Sequence, residues 1–196
     1  MGSAIVILAA GMSRRMGQHN KLLQQIGDPP TPMVRVVAEQ AIASSVGEVY
    51  VVLGHQAEQV RLALDGLALN YIYNDDYQQG QSASVRTTVA ALGERYDSLI
   101  IALGDMPFVS ADVYRGLVER FRATGERSVV VPSYNGKRGN PVLWPRQQFV
   151  HLAAVEGDKG GRQVLQRLQS ELVTLCVNDR SIFEDIDDHE QLAAYQ

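Results

Sequence analysis

Six short apolar runs recur along this chain, at residues 4–9, 48–53, 69–73, 98–103, 128–131 and 172–177. Most are continuous rather than alternating, and rich in Val, Ile and Leu. That pattern belongs to strands buried on both faces, as in a parallel sheet. Amphipathic stretches separate them. Thr31 followed by Pro32 reads as a helix N-cap and first helical position, opening a helix to about residue 45. Further helices are predicted over 57–64, 82–92 and 111–124 (the last capped by Ser110), then after the 157–162 turn to about 170, and finally from about His189. Residues 140–144 look extended, but the flanking Pro141 and Pro145 predict an edge or a short strand. Strand–helix alternation with short connections predicts a three-layer α/β fold with a mostly parallel sheet. At 196 residues the chain fits a single domain over 1–196. Ligands of such sheets bind beyond the carboxyl ends of the strands. The polar loops after Ala10, Tyr73 and Leu103 all fall there.

Composition excludes several partners. A net charge of -4 gives no broad basic field for duplex nucleic acid. No apolar run approaches the roughly 20 residues of a membrane helix. The apolar stretch 4–10 is short and no basic segment precedes it, which argues against a signal peptide. With one cysteine, Cys176, no intrachain disulfide forms, and a cytoplasmic setting is expected. Cys176 sits in an apolar run and reads as a small core residue rather than a nucleophile. His19, His55, His151 and His189 show no metal-ligand spacing with each other or with Cys176.

The chemistry-bearing residues gather in loops. Residues 8–17 read LAAGMSRRMG, with Lys21 shortly after. Glycine lets the backbone bend near a ligand, and successive N–H groups then face an anion. Arg14, Arg15 and Lys21 add cationic groups suited to phosphate. The spacing is neither a dinucleotide fingerprint nor a P-loop. Asp105, in Gly104-Asp105-Met106-Pro107, places a carboxylate at a strand end, where magnesium takes one or two carboxylates plus phosphate oxygens and waters. It also fits an ordinary turn aspartate. The tail Glu184-Asp185-Ile186-Asp187-Asp188 supplies candidates for a second metal carboxylate, Asp185 or Asp187, alongside a plain acidic helix start. Gly80-Gln81-Ser82-Ala83-Ser84-Val85-Arg86, a glycine followed by hydroxyls and an amide at a helix start, offers hydrogen bonds to a base or ribose, or simple capping by Ser82. Lys137-Arg138-Gly139-Asn140-Pro141 and Gly157-Asp158-Lys159-Gly160-Gly161-Arg162 each mix glycine with cationic or amide groups able to clamp a phosphate, and each also fits an ordinary turn.

Taken together, these motifs, with Gly54-His55-Gln56-Ala57-Glu58, resemble the molybdenum cofactor nucleotidyltransferases, and within them the cytidylyltransferases. The resemblance spans nearly the whole chain. It implies a Rossmann-like nucleotidyltransferase fold and Mg²⁺-dependent transfer of CMP from CTP to molybdenum cofactor, giving molybdopterin cytosine dinucleotide and pyrophosphate. It assigns Ala9, Ala10, Gly11, Ser13, Arg15, Lys21, Gln81 and Ser82 to the nucleotide. It assigns Asn140 and Arg162 to the acceptor, Asp105 and Asp187 to the metal, and Arg15, Lys21 and Asp105 to catalysis. A receiving molybdenum hydroxylase or its chaperone is the implied partner. Leu8-Ala9-Ala10-Gly11, where the guanylyl branch usually has Leu-Ala-Gly-Gly, points to cytidine. The tail departs from the family's Asp-Ile-Asp-Thr-Pro-Glu-Asp after its first two acids. The competing readings are transfer from GTP, another phosphorylated small-molecule acceptor, and a non-catalytic molybdopterin-binding module.

Overall fold

The computed structural model describes residues 2–13, 20–168, 172–186, 189–193 and 195. Arg14, Arg15, Gly17, His19, Asp187 and Asp188 of the sequence motifs lie outside the described residues.

The strands of the main sheet are β1 (Ser3–Ala9), β2 (Val49–Leu53), β3 (Asn70–Tyr73), β4 (Ser98–Leu103), β5 (Val130–Tyr134), β6 (Lys137–Arg138), β7 (Val142–Pro145) and β8 (Val173–Cys176). Their order is β8-β5-β7-β4-β1-β2-β3, with β6 paired to β5. The pairs β1–β2, β1–β4, β2–β3 and β5–β8 are parallel. Only β7 and the short β6 run against the rest. The fold is therefore the three-layer, mostly parallel α/β architecture that the alternation predicts.

Because side chains alternate along a strand, β1 feeds both sides of the sheet. Ile5, Ile7 and Ala9 join one core, under α1 (Met33–Ala43), α2 (Ala57–Ala63) and α4 (Ala111–Ala123). Ala4, Val6 and Leu8 join the other, under α3 (Gln81–Leu92), α5 (Phe149–Leu152) and α6 (Arg162–Arg167). A short α7 (His189–Ala193) ends the chain. Helix α4 shows the logic: Val113, Tyr114, Leu117, Val118 and Phe121 form one buried stripe at helical spacing.

Strand β7 takes the second of its two expected forms: it is a short strand of four residues, buried throughout between β4 and β5, and not an edge. Pro141 precedes the strand and Pro145 is its last residue, so neither removes a donor from its interior. Three expectations need correction. Cys176 is exposed. It lies on edge strand β8, where Val173 and Leu175 are half-buried and Thr174 and Cys176 face outward. Helix α1 begins at Met33. Thr31 instead pairs with Ile26 in a two-stranded ribbon and donates its hydroxyl to the Pro29 carbonyl. At α4 the side chain of Ser110 makes no cap bond. Gln40 Oε1 accepts from the Ala111 N–H at 3.0 Å, so the cap comes from helix α1.

Candidate active site

Strand β1 is flanked by β2 on one side and β4 on the other, so the strand order reverses there. A crevice opens beyond the carboxyl ends at such a switch point. The loops after Ala9 and Leu103 border it. Two connected lobes occupy the crevice, of about 360 Å³ and 750 Å³, sharing Leu8, Gln81, Leu103 and Asp158.

The smaller lobe is lined by Ala10, Gly11, Met12, Ser13 and Lys21 on one side and by Tyr77, Gly80, Gln81 and Ser84 on the other, with Asp105 between. Its first wall is built by short polar contacts. Ser13 takes a positive φ of 50°. Its Oγ accepts from the Lys21 N–H at 3.1 Å and donates to Asn20 Oδ1 at 3.4 Å. Asn20 Oδ1 also accepts from the Leu22 N–H at 3.0 Å, capping the short turn that carries Lys21. A side chain built on Gly11 would meet nothing within 4 Å, so the space above that loop is open. The loop is tied down behind by the His55 N–H, which donates to the Ala10 carbonyl at 3.2 Å.

The charged centre is a pair. Lys21 Nζ lies 2.5 Å from Asp105 Oδ2, with side chains 14% and 19% exposed. Asp105 Oδ1 is buried and has no hydrogen-bond partner among the described residues. An unsatisfied buried carboxylate oxygen costs on the order of 1–3 kcal/mol or more, so native structures meet such an atom with water, an ion or a ligand. The acidic tail reaches this point through its backbone: the Ile186 N–H donates to the Asp105 carbonyl at 3.0 Å. Asp187 follows directly in sequence, outside the described residues. Asp185 lines the larger lobe instead.

The larger lobe gathers Arg138, Gly139, Asn140, Trp144, Gly161 and Arg162 around an apolar floor from β4, β5 and β7. Asn140 is held by its N–H to the Ile182 carbonyl at 3.0 Å. The loops of the two lobes interlock through glycines. A Cβ at Gly80, whose φ is +92°, would sit 2.0 Å from Asp158 Oδ1. A Cβ at Gly160, at φ +48°, would sit 2.6 Å from Gln81 Oε1. Only glycine lets the Gly80–Gln81 and Asp158–Gly160 segments approach this closely.

Of the residues assigned from sequence, Ala10, Gly11, Ser13, Lys21, Gln81 and Asp105 line one lobe, and Asn140 and Arg162 the other. Ala9 and Ser82 do not line the cavity. Ala9 packs in the core, and Ser82 is fully buried with an unpartnered Oγ. Ser82 is not a cap either: Gly80 is the N-cap of α3, and Ser82 already faces inward. Ser84 and Asp158 fall within the 80–86 and 157–162 motifs, and both line the cleft. Asn20 and Tyr77 were not singled out from sequence; Asn20 had the right neighbour in Lys21, but nothing local distinguishes it from other loop residues. Trp144 is buried in the core and also walls the larger lobe.

A family model described as the MobA-like NTP transferase domain matches residues 5–172. This chain belongs to that family. Among relatives of the MobA-like domain, the bifunctional protein GlmU of Novosphingobium aromaticivorans is 36% identical over 129 residues, covering 65% of this chain and 28% of its own length. The chain thus spans little more than a quarter of that relative. Among solved structures, Rv0371c from Mycobacterium tuberculosis H37Rv superposes with a TM-score of 0.86 at 25% identity, covering 99% of this chain and 96% of that one. Rv0371c in complex with manganese superposes at 0.78 and 23% identity, covering 92% and 90%. In this MobA-like domain no helix among the described residues is long and apolar enough to cross a membrane.

Proposed function

We propose that this chain is a Mg²⁺-dependent nucleotidyltransferase that moves CMP from CTP to the terminal phosphate of molybdenum cofactor, releasing pyrophosphate. The observation that carries the reading is the Lys21–Asp105 pair beneath an open glycine loop, with one buried carboxylate oxygen left unmet. Membership in an NTP transferase family supports the reaction class. The sequence resemblance supports the base and the acceptor.

The residues present fit a divalent cation. Magnesium needs only one or two protein carboxylates, the remaining ligands being phosphate oxygens and water. Asp105 would supply one, through the oxygen that has no partner, and Asp187 is the proposed second. The manganese complex of Rv0371c supports a divalent metal in this fold. When bound, the cation neutralises charge shared between the phosphates.

The attacking group is a phosphate already ionised near neutral pH, so no base has to create it. Its oxygen forms a bond to the α-phosphorus of the NTP while the bond to pyrophosphate breaks. The protein's work is positioning and charge stabilisation. Main-chain N–H groups around Gly11 to Ser13 and the Lys21 ammonium receive the triphosphate, joined by Arg15 in this proposal. Lys21 lies against Asp105 Oδ2, and its ammonium would be shared between that carboxylate and the phosphates when a cation is held at Oδ1. Gln81 faces the nucleoside from the opposite wall. Asn140 and Arg162 hold the acceptor in the larger lobe.

The test is pyrophosphate release from purified protein with molybdenum cofactor, Mg²⁺ and each of CTP, GTP, ATP and UTP. Release with CTP far above the others is expected. A preference for GTP would overturn the cytidine assignment and keep the mechanism. No release with any of the four would overturn the proposal and favour another acceptor or a non-catalytic role.

A further inference from the structure

We propose that Arg86 is a positioning residue that couples the two lobes of the cleft, holding the acceptor-side loop in register with the nucleotide-side loop. The inference rests on the reading above for what the lobes bind, and on geometry alone for the clamp.

Arg86 lies on α3, one turn beyond Ser82 and outside the lining of both lobes. Its guanidinium makes two directed bonds to different loops. Nη1 donates to the Val155 carbonyl at 2.8 Å, and Nη2 donates to Gln79 Oε1 at 3.0 Å. A planar guanidinium can hold two partners in a fixed fork, which an ammonium cannot. On the nucleotide side the chain of contacts continues. Gln79 Nε2 donates to Asp76 Oδ1 at 2.8 Å, the Asp76 N–H donates to Asn74 Oδ1 at 3.0 Å, and Asn74 Nδ2 donates to Ser84 Oγ at 3.0 Å. That rail sets the loop ending at Gly80 and Gln81.

On the acceptor side, Val155 is buried and closes the turn after α5. The chain then passes through Glu156 to the Gly157–Lys159 turn, Gly160 and Arg162. Among the described residues, the Arg86 bond to Val155 and the bond from Gln163 Nε2 to the Glu156 carbonyl at 2.8 Å are the side-chain ties that fix where this segment starts. The interlock of Gly80 with Asp158 and of Gly160 with Gln81 needs both loops in place at once. Among the described residues, Arg86 is the side chain hydrogen-bonded to both segments, so it ties together loops that otherwise meet only by packing.

The test compares wild type, Arg86→Lys and Arg86→Met as full-length proteins. Hydrogen exchange of residues 156–161 reads the clamp without any substrate. Faster exchange there in Arg86→Met, with little change in β1, β2 and β4, is expected. Kinetics read the coupling. The KM for molybdenum cofactor should rise about tenfold in Arg86→Met while CTP affinity, measured calorimetrically without acceptor, stays within about twofold. Arg86→Lys, which keeps one contact, should fall between.

Unchanged exchange at 156–161 overturns the clamp. Faster exchange with an unchanged acceptor KM, or a loss that follows only the fall in Tm, overturns the positioning role. If wild type transfers no nucleotide at all, the reading of the lobes fails and the exchange data alone decide the clamp.

Discussion

At the scale of single residues, the Lys21–Asp105 pair makes two different predictions for its two members. Asp105→Asn keeps the shape and removes the charge. Under the proposed function it should lower kcat by about 100-fold or more, on the order of 3 kcal/mol, as for loss of a preorganised charge stabiliser. Stability should change little, because the amide can still sit beside Lys21. Lys21→Met leaves a mostly buried carboxylate with neither of its oxygens met by this partner. Full burial would make that cost several kcal/mol. The pair is 14% and 19% exposed, so solvent screening reduces it to about 1–2 kcal/mol. Urea melts of both variants, beside their turnover with CTP, check the split. If Asp105→Asn retained near-normal kcat at limiting Mg²⁺, the metal assignment would be wrong. Gly80 carries a steric prediction. Alanine there meets Asp158 and a backbone at φ +92°, so Gly80→Ala should weaken CTP binding by about tenfold or more, measured by calorimetry.

At the scale of elements, strand β7 ties the core to the site. Trp144, the only tryptophan, is 2% exposed and walls the larger lobe, and a Cβ on Gly161 would sit 2.7 Å from its Cζ2. Its emission should change when molybdenum cofactor is added and stay nearly constant with CTP alone. A change of equal size with CTP alone would place the acceptor elsewhere. This strand also marks where sequence reading stops. Strands β1, β2 and β4 were legible because unbroken Val, Ile and Leu runs admit burial on both faces and little else. The rim loops were legible as loops, because glycine and charge gather where the apolar runs end, although the same residues also fit ordinary turns. Strand β7 was legible as a short extended piece but not as a central one, since prolines next to a short run also mark an edge, and only tertiary pairing shows that they flank the ladder. Cys176 failed for a related reason: an apolar run on an edge strand still turns alternate residues outward. Gly11, Lys21 and Asp105 drew attention by loop position, whereas the roles of Asn140 and Arg162 rest on the family resemblance. Ser82 and Ala9 fell inside, because periodicity along a helix or strand decides which side a residue faces, and a motif does not encode that. The pairing of Lys21 with Asp105 spans 84 residues and has no local signal at all.

At the scale of the whole molecule, the end opposite the cleft sets how the fold responds to alkali. Tyr96 lies just before β4, and its hydroxyl donates to Glu48 Oε2 and shares a 2.8 Å hydrogen bond with Tyr50. Burial first, then the bonds with Glu48 and Tyr50, pushes the Tyr96 phenol well above its ordinary value. Tyr114, packed under the sheet on α4, is pushed up by burial alone. In the unfolded chain both phenols titrate near pH ~10. A raised folded value means the native state keeps protons that the unfolded state releases. The stabilisation these two groups contribute is therefore complete below about pH 10, and it is lost as pH climbs from there toward the raised native values. Urea melts between pH 8 and 11 should show a falling midpoint above about pH 10. In Tyr96→Phe the midpoint should start lower at pH 8, by about 1 kcal/mol for the lost hydrogen bonds, and then fall less steeply. An identical slope in that variant would remove Tyr96 from the account and leave Tyr114 to carry it.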